Sequence, residues 1–196
     1  TGVTVMQMAE GMDDGDLLLK AIEPICSDDT AVTLMERLAI LGAVTIVKAL
    51  RLMIAGTLPR EPQDHSQATY APKMRKADGL IDWSLSAKLI ERRTRAFEPW
   101  PGAFTFLPVR IDKTGAPERI KILQAEIVCE EEVPGFELVA PGTVCSLSPT
   151  GPIVVTGNGL LRLTALQPDG SRRMDGKSFL NGHPMEPGDR FWSVPL

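Results

Sequence analysis

Cysteine, histidine and aromatic residues are scarce in this chain of 196 residues. The three cysteines are odd in number and form no C-x-x-C pair, so the sequence predicts free thiols rather than a disulfide framework or a zinc site. The two histidines belong to no cluster of metal-ligating residues, so no metal site is expected. Aromatic residues make up 5% of the chain, which does not favour a protein that stacks on splayed bases.

Long apolar runs are also absent. None approaches the roughly 18 residues that a membrane span needs, so no membrane association is expected, and no signal peptide is recognisable. The contents of 43% hydrophobic and 23% charged residues are ordinary for a soluble globular protein. A net charge of −4 argues against a surface that binds nucleic acid all round, but it permits one basic face. Because the chain starts at Thr1 and enters a strand pattern at once, we expect further sequence upstream.

Residues 1–57 predict the final part of an α/β domain. Alternating β-branched residues at 2–8 and the apolar run Leu17–Ile22 predict two strands. A helix with an apolar face follows and ends at Gly56, and Gly42 is expected to weaken or split it. Its candidate N-caps are three adjacent polar residues, Ser27, Asp28 and Asp29. These elements are too few to form a complete core alone.

Residues 58–84 predict a linker, and residues 85–196 a second domain. The linker has prolines at 59, 62 and 72 and no periodicity, so it should lie along the surface. A capped helix is predicted over 86–97, with Leu89, Ala96 and Phe97 facing inward and its arginines facing outward.

The remaining residues predict a small β domain. Turn signals at 113–117, 148–151 and 157–159 separate segments rich in β-branched and apolar residues. The predicted strands are 104–107, 109–111, 120–128, 142–147, 153–156 and 160–166. Short antiparallel strands at this spacing are typical of a small barrel or sandwich. A last helix is predicted over 175–181, with Asp175 as its N-cap.

The segment EGMDDGD at 10–16 lies between the first two predicted strands. Asp and Gly dominate turns for backbone reasons, so the spacing alone favours a polar turn. Whether one of its carboxylates also moves protons is not settled by the pattern itself.

Three stretches resemble the methionyl-tRNA formyltransferase family: TGVTVMQMAEGMDDGDLLL, IDWSLSAKLIERRTRAFEPWPGAFT and LQPDGSRRMDGKSFLNG. The first is shared more widely among enzymes that use formyltetrahydrofolate, whereas the last discriminates the members that formylate tRNA. The resemblance implies a truncated Rossmann-like α/β formyltransferase domain, a linker and a mainly-β C-terminal barrel of the oligonucleotide-binding (OB) type. It also implies 10-formyltetrahydrofolate as formyl donor, initiator methionyl-tRNA as partner, and a monomeric, cytoplasmic enzyme of translation initiation.

The resemblance assigns roles within the segment at 10–16. In the family's G-[LVM]-D-x-G-D loop the first aspartate is catalytic, and this position is Asp13 here. Its carboxylate would support proton transfer from the attacking α-amine, directly or through water and a neighbouring imidazole. Gly11 and Gly15 would let the loop bend closely around the pterin ring, and Met12 and Asp14 would offer backbone groups to that ring. The last aspartate of the loop is expected to order the turn.

The family's other two catalytic residues form an Asn-x-His pair upstream of this loop. The Asn-x-His here, Asn181-Gly182-His183, follows the loop and falls at a predicted helix end, so it is not expected to be catalytic. His65 is expected to be a solvated linker residue. With one of three catalytic residues, residues 1–196 alone are expected to be inactive.

Basic residues cluster around the linker and the helix that follows it. The predicted tRNA-binding residues are Lys73, Arg75, Lys76, Arg92 and Arg93, and the cluster at Arg172, Arg173 and Lys177 would extend them. They form either an ordinary solvated face or a track that contacts phosphates without reading sequence. Three aromatic residues are expected to be core anchors rather than a platform for bases: Trp83, Trp100 and Phe104.

The sequence leaves two alternatives to this enzyme open. One is a non-catalytic RNA-binding module made of the linker and the barrel. A related folate-dependent formyltransferase or hydrolase, acting on a sugar nucleotide or on the cofactor itself, is the other.

Overall fold

A computed structural model of the chain describes residues 1–111, 117–129, 131, 133 and 135–193. The chain divides into two compact units, Thr1–Lys73 and Met74–Leu196. The division falls inside the segment predicted as a linker, while the predicted limits at 57 and 84 stay predictions. The predicted turn at 113–117 lies outside the described residues except for its last position.

The first unit contains two antiparallel strands and one long helix. Strand β1 (Gly2–Met6) pairs with β2 (Leu17–Ile22), and helix α1 spans Ala31–Ile54. The register runs from Gly2 opposite Ile22 to Met6 opposite Leu17, with an irregularity between Val5 and Met6. Both predicted strands are confirmed, the first ending at Met6 rather than at residue 8.

The start of α1 differs from its prediction. The N-cap is Thr30, whose hydroxyl accepts from the Thr33 amide while the Thr33 hydroxyl accepts from the Thr30 amide. Asp29 is buried and instead accepts from the guanidinium of Arg37 at 2.8 Å and from the Cys26 amide at 2.7 Å. These hydrogen bonds, that of Arg37 first, hold the pKa of the Asp29 carboxyl well below its usual range. Asp29 therefore ties the helix start to Arg37, and the cap falls one residue later than the last candidate.

Gly42 does not split the helix, so that prediction is wrong. Helix α1 is continuous over 24 residues. A Cβ at Gly42 would lie 3.7 Å from a methyl carbon of Val3, which places this turn of the helix against β1. Packing on the strand pair thus offsets the roughly 1 kcal/mol that an interior glycine costs a helix.

The first unit has almost no core. Within residues 1–73, all of which the structure describes, Ala49 is the one buried hydrophobic residue. Most apolar side chains of α1 are exposed: Val32, Met35, Ile40, Val44, Ile46, Val47, Leu50, Met53 and Ile54. The expectation that this region lacks a complete core is confirmed.

Within its described residues, the second unit has a six-stranded antiparallel sheet and two α-helices. Helix α2 is Ala87–Ala96 and helix α3 is Gly176–Gly182. The strands are β3 (Phe104–Ile111), β4 (Pro117–Val128), β5 (Val144–Ser148), β6 (Gly151–Val155), β7 (Leu160–Pro168) and β8 (Met174–Asp175). Their order is β3-β4-β7-β6-β5, with β8 also paired to β7.

The predicted elements of this unit are found, with bounds shifted by up to three residues and with two larger differences. The segments 104–107 and 109–111 form one strand, and the two-residue β8 was not predicted. The predicted caps are confirmed: Ser86 accepts from the Leu89 amide, and Asp175 accepts from the Ser178 amide. The strand order runs from β3 to β5, and isolated bridges join Phe106 of β3 to Trp192 and Thr143, next to β5, to Arg190. Within the described residues no further strand closes the sheet, so the predicted OB-like barrel is not confirmed.

The core of the second unit lies between the sheet and its helices. Trp83 is 3% exposed, stacks on Phe191 at 5.8 Å and donates its indole N–H to the Thr105 hydroxyl at 3.1 Å. Phe104 is also buried, so both are core residues as predicted. The prediction is wrong for Trp100, which is 56% exposed.

The inward face of α2 also differs from its prediction. The buried residues are Ala87, Ile90 and Thr94, which recur at helical spacing. Leu89 is 41% exposed and Ala96 is exposed. The buried Thr94 hydroxyl donates to the Ile90 carbonyl at 3.0 Å, which lets a polar residue occupy the face that was assigned to apolar ones.

Candidate active-site loop and basic surface

The acidic loop, residues 8–16, is closed at its base by the strand pair. The Gln7 amide donates to the Asp16 carbonyl at 2.8 Å, just beyond the last paired residues of β1 and β2. The loop ends are therefore fixed by the sheet, while the segment between them has no helix or strand of its own.

The two glycines of this loop differ in whether the structure has space for a side chain at their positions. A Cβ at the buried Gly15 would overlap the backbone carbonyl of Gln7, which cannot move without opening the loop base. The three atoms nearest to a Cβ at Gly11 all belong to the carboxylate of Asp14, a side chain that can swing away. Gly15 is therefore needed for the loop to close, and Gly11 is less constrained.

Asp13 is exposed and adopts a left-handed backbone conformation with φ of 52°. Aspartate and asparagine tolerate this conformation better than most other residues. Within the described part of the chain, no group forms a hydrogen bond with its carboxylate or with the backbone of Met12 or Asp14. Met12 is 89% exposed. The predicted catalytic and cofactor-binding groups thus lie together on one accessible loop.

The first residues of the predicted linker contact this loop. The side-chain amide of Gln63 donates to the carbonyls of Asp13 and Gly15, both at 2.7 Å. Glu61 exchanges two backbone hydrogen bonds with Leu17, at 2.8 and 2.9 Å. The prediction that residues 58–84 lie along the surface without packing is therefore wrong at 61–63. One signal was present, because a residue before proline favours an extended backbone and Glu61 precedes Pro62.

The predicted tRNA-binding residues are all exposed. Lys73 ends the first unit, whereas Arg75 and Lys76 belong to the second. Arg92 and Arg93 lie on the exposed face of α2, and Arg93 lines a small cleft together with residues 79–82. In the second unit, therefore, the basic face of α2 adjoins the segment that continues from Arg75 and Lys76.

Other charged groups limit this basic surface. Arg75 is 3.5 Å from the carboxylate of Asp78, although the Arg75 side chain is 80% exposed. Arg95, predicted to face outward with its neighbours, is partly buried and bonded to Glu91. The Arg95 guanidinium therefore pairs with a carboxylate of its own helix.

The two histidines differ in their surroundings: His183 is partly buried and packed, whereas His65 is exposed. His183 stacks on Phe179 with ring centroids 4.6 Å apart, and its Nδ1 lies 3.3 Å from the Phe179 carbonyl. Its Nε2 is 3.6 Å from the carboxylate of Glu118. His65 is exposed in a short turn of 3-10 helix at His65–Gln67. That 181–183 is not the catalytic pair stays a prediction.

The described residues include neither a helix suited to crossing a membrane nor a cluster of metal ligands. None of the helices there combines the length and apolar character that a membrane crossing requires. Nor do three or more Cys, His, Asp or Glu side chains in that part of the chain come together as metal ligands would.

Residues 1–50 match the family described as formyl transferase, and residues 73–184 match the formyl transferase C-terminal domain. The chain therefore belongs to the formyl transferase family.

Curated proteins similar to this chain include several methionyl-tRNA formyltransferases. The methionyl-tRNA formyltransferase of Marinobacter nauticus is 43% identical over 93% of this chain and 54% of its own length. That of Thiobacillus denitrificans is 42% identical over 97% of this chain and 57% of its own length. The chain thus spans a little over half the length of these curated relatives.

Solved structures with a similar fold include HypX from Aquifex aeolicus. One HypX variant has a TM-score of 0.60 at 20% identity, covering 93% of this chain and 30% of HypX. HypX in complex with tetrahydrofolic acid also has a TM-score of 0.60, covering 97% of this chain and 33% of HypX. At 20% identity, this similarity shows a shared fold alone.

Proposed function

We propose that the protein containing this chain transfers a formyl group from 10-formyltetrahydrofolate to the α-amine of methionyl initiator tRNA. The observation that carries the proposal is the similarity to methionyl-tRNA formyltransferases, at 43% and 42% identity, which extends over both units. A non-catalytic RNA-binding module is disfavoured, because residues 1–50 match the formyl transferase domain and include the accessible Asp13.

Asp13 is the proposed proton-transfer group. The amine nitrogen attacks the formyl carbon, and a carbon–nitrogen bond to the folate then breaks. The amine must lose a proton, and the leaving folate nitrogen must gain one. An exposed carboxylate with no bonded neighbour among the described residues is free to accept and pass on that proton, directly or through water.

The folate would lie against the loop. The backbone groups of Met12 and Asp14 form no hydrogen bonds within the described residues, so they are free to bind the pterin ring. Gly11 would permit its close approach, whereas the geometry supports loop closure as the role of Gly15. The tetrahydrofolic acid complex of HypX, which has a similar fold, agrees with a folate co-substrate.

The second unit would bind tRNA. We assign residues 1–57 to the formyl-transfer domain, 58–84 to the linker and 85–196 to the tRNA-binding domain. By the family resemblance, the antiparallel sheet of that last domain would belong to an OB-like barrel. The tRNA phosphates would be contacted by Lys73, Arg75, Lys76, Arg92 and Arg93.

Formyl transfer by the intact protein tests this function. With 10-formyltetrahydrofolate, the intact protein should formylate initiator methionyl-tRNA, and residues 1–196 alone should not, because the Asn-x-His pair expected upstream is needed to stabilise the tetrahedral intermediate. Formate release at the same rate without tRNA would instead support a hydrolase. Transfer to a sugar nucleotide in preference to tRNA would support a different formyltransferase.

The basic residues predict a salt-dependent phenotype. Replacing Lys73, Arg75, Lys76, Arg92 or Arg93 singly by Ala should weaken tRNA binding modestly and reduce the slope of log K against log salt by about one unit per lost phosphate contact. The effect should be similar for initiator and elongator tRNAs, since phosphate contacts carry no sequence information directly. Binding titrations at three salt concentrations measure both quantities.

A control variant separates local contacts from overall charge. Lys48→Ala removes one exposed positive charge from α1, outside the predicted tRNA-binding set. It should leave the slope unchanged. If the basic variants share the slope of the wild type, these residues are an ordinary solvated face.

A further inference from the structure

We propose that Gln63 is a positioning residue that holds the loop backbone around Asp13 in its working conformation. The inference rests on the proposed function, since it concerns the placement of its catalytic carboxylate. Gln63 lies 50 residues from Asp13 in the chain, yet its side-chain amide bonds directly to the Asp13 carbonyl. It therefore acts through the loop backbone rather than on a substrate.

The chemistry of the contact suits an amide. The Gln63 nitrogen carries two N–H groups, and its two acceptors are the carbonyls of Asp13 and Gly15, each at 2.7 Å. These carbonyls lie on both sides of Asp14, so one side chain fixes the backbone over three consecutive residues. A glutamate of the same size would present only acceptor oxygens to two carbonyl acceptors. The donor function is thus specific to glutamine at this position.

Gln63 is itself held in place by its neighbours. The two backbone hydrogen bonds between Glu61 and Leu17 fasten the segment to the start of β2. The Lys20 ammonium lies 3.0 Å from the Glu61 carboxylate, and the Arg60 guanidinium lies 3.4 Å from the side-chain oxygen of Gln7. Residues 60–63, which we call the strap, therefore touch the chain before, within and after the acidic loop.

The left-handed backbone of Asp13 explains why a strap is needed. A φ of 52° is uncommon even for aspartate, which tolerates it better than most residues, and such conformations persist where surrounding contacts fix them. The Gln63 amide supplies contacts at Asp13 itself and two residues later. Without them the loop would populate other backbone conformations, and the carboxylate would spend less time in its reactive position.

Kinetics of Gln63 variants of the intact protein test the proposal. Gln63→Ala and Gln63→Glu should each lower kcat about tenfold, with KM for methionyl-tRNA changed less than about twofold, because catalytic geometry rather than tRNA binding is affected. Gln67→Ala is the matched control. Gln67 also donates its amide, but to the Asp64 carboxylate at 2.7 Å, away from the loop, so its kcat should stay that of the wild type.

A double-mutant cycle distinguishes positioning from a general structural role. If Gln63 acts through Asp13, then Gln63→Ala should cost less than about twofold once Asp13 is Asn, because residues that act as a unit are not additive. Costs that multiply would overturn the proposal. A wild-type kcat for Gln63→Ala, with Asp13→Asn impaired, would also overturn the positioning role of Gln63. A wild-type kcat for Asp13→Asn would instead overturn the catalytic assignment of Asp13.

The dynamics of the loop backbone give a readout independent of activity. Gln63→Ala should lower the NMR order parameters of the backbone at residues 10–16, because two hydrogen bonds to the loop carbonyls are lost. Gln67→Ala should not, and thermal unfolding should show that both variants are folded. Unchanged order parameters in Gln63→Ala would refute the positioning role even if activity fell.

Discussion

Replacing Asp13 by Asn in the intact protein is expected to lower kcat for formyl transfer about a hundredfold or more, which is the scale of a lost general base. The amide cannot accept the amine proton, so the step that depends on the carboxylate slows. Binding of methionyl-tRNA and of the folate should change far less, because the side-chain size is kept. Steady-state kinetics with each substrate varied in turn measure kcat and both KM values.

Asparagine is the informative substitution because of the backbone at this position. Asn tolerates the left-handed conformation of Asp13 about as well as Asp does, whereas Ala would combine loss of the carboxylate with backbone strain. Asp16→Asn is the control. It removes a carboxylate from the same loop, and the Asp16 contact to Gln7 uses its backbone carbonyl, which the variant keeps. A near wild-type kcat for Asp13→Asn would return Asp13 to the role of a turn residue.

Local signals predicted the secondary structure well where the deciding groups are close in sequence. Ser86 and Asp175 bond to amides three residues ahead, so their caps could be recognised directly. The start of α1 could not, since several polar residues compete there. The choice of Thr30 depends on the buried contact of Asp29 with Arg37, eight residues away.

Packing decided the features that the sequence did not reveal. The continuity of α1 through Gly42 depends on its contact with Val3, and the inward face of α2 on the sheet beneath it. The position of Asp13 could be predicted from the loop pattern and the family resemblance. Its contact with Gln63 could not, because nothing in the intervening 49 residues specifies that the chain returns to the loop.

The glycine that begins α3 is expected to give the largest stability effect. Gly176 belongs to the stretch LQPDGSRRMDGKSFLNG, which discriminates tRNA-formylating relatives by resemblance. A Cβ there would lie 2.6 Å from the Cα of Gly151 and 2.7 Å from the carbonyl oxygen of Leu163, and it would overlap the Thr150 carbonyl. All three are backbone atoms, in the turn before β6, at the first residue of β6 and within β7, so no side-chain rotation relieves the clash. The glycine is thus explained by packing of α3 against the sheet.

Gly176→Ala should therefore destabilise the second unit strongly. Helix α3 carries Phe179, which is fully buried, so moving the helix start also disturbs the core. Overpacking of this kind costs about 3 kcal/mol or more, which corresponds to a fall in Tm of about 10 °C for a unit of this size. Calorimetric unfolding of the wild type and the variant measures the difference.

Gly182→Ala provides the comparison within the same helix. A Cβ at Gly182 meets nothing within 4 Å, and its φ is not in the left-handed region. Alanine there should leave Tm unchanged or raise it slightly, since alanine favours helix more than glycine does. Equal Tm values for the two variants would mean that the sheet accommodates a methyl group at residue 176. In that case close packing of α3 would not explain the glycine in this stretch, and a role in binding would have to be sought for it.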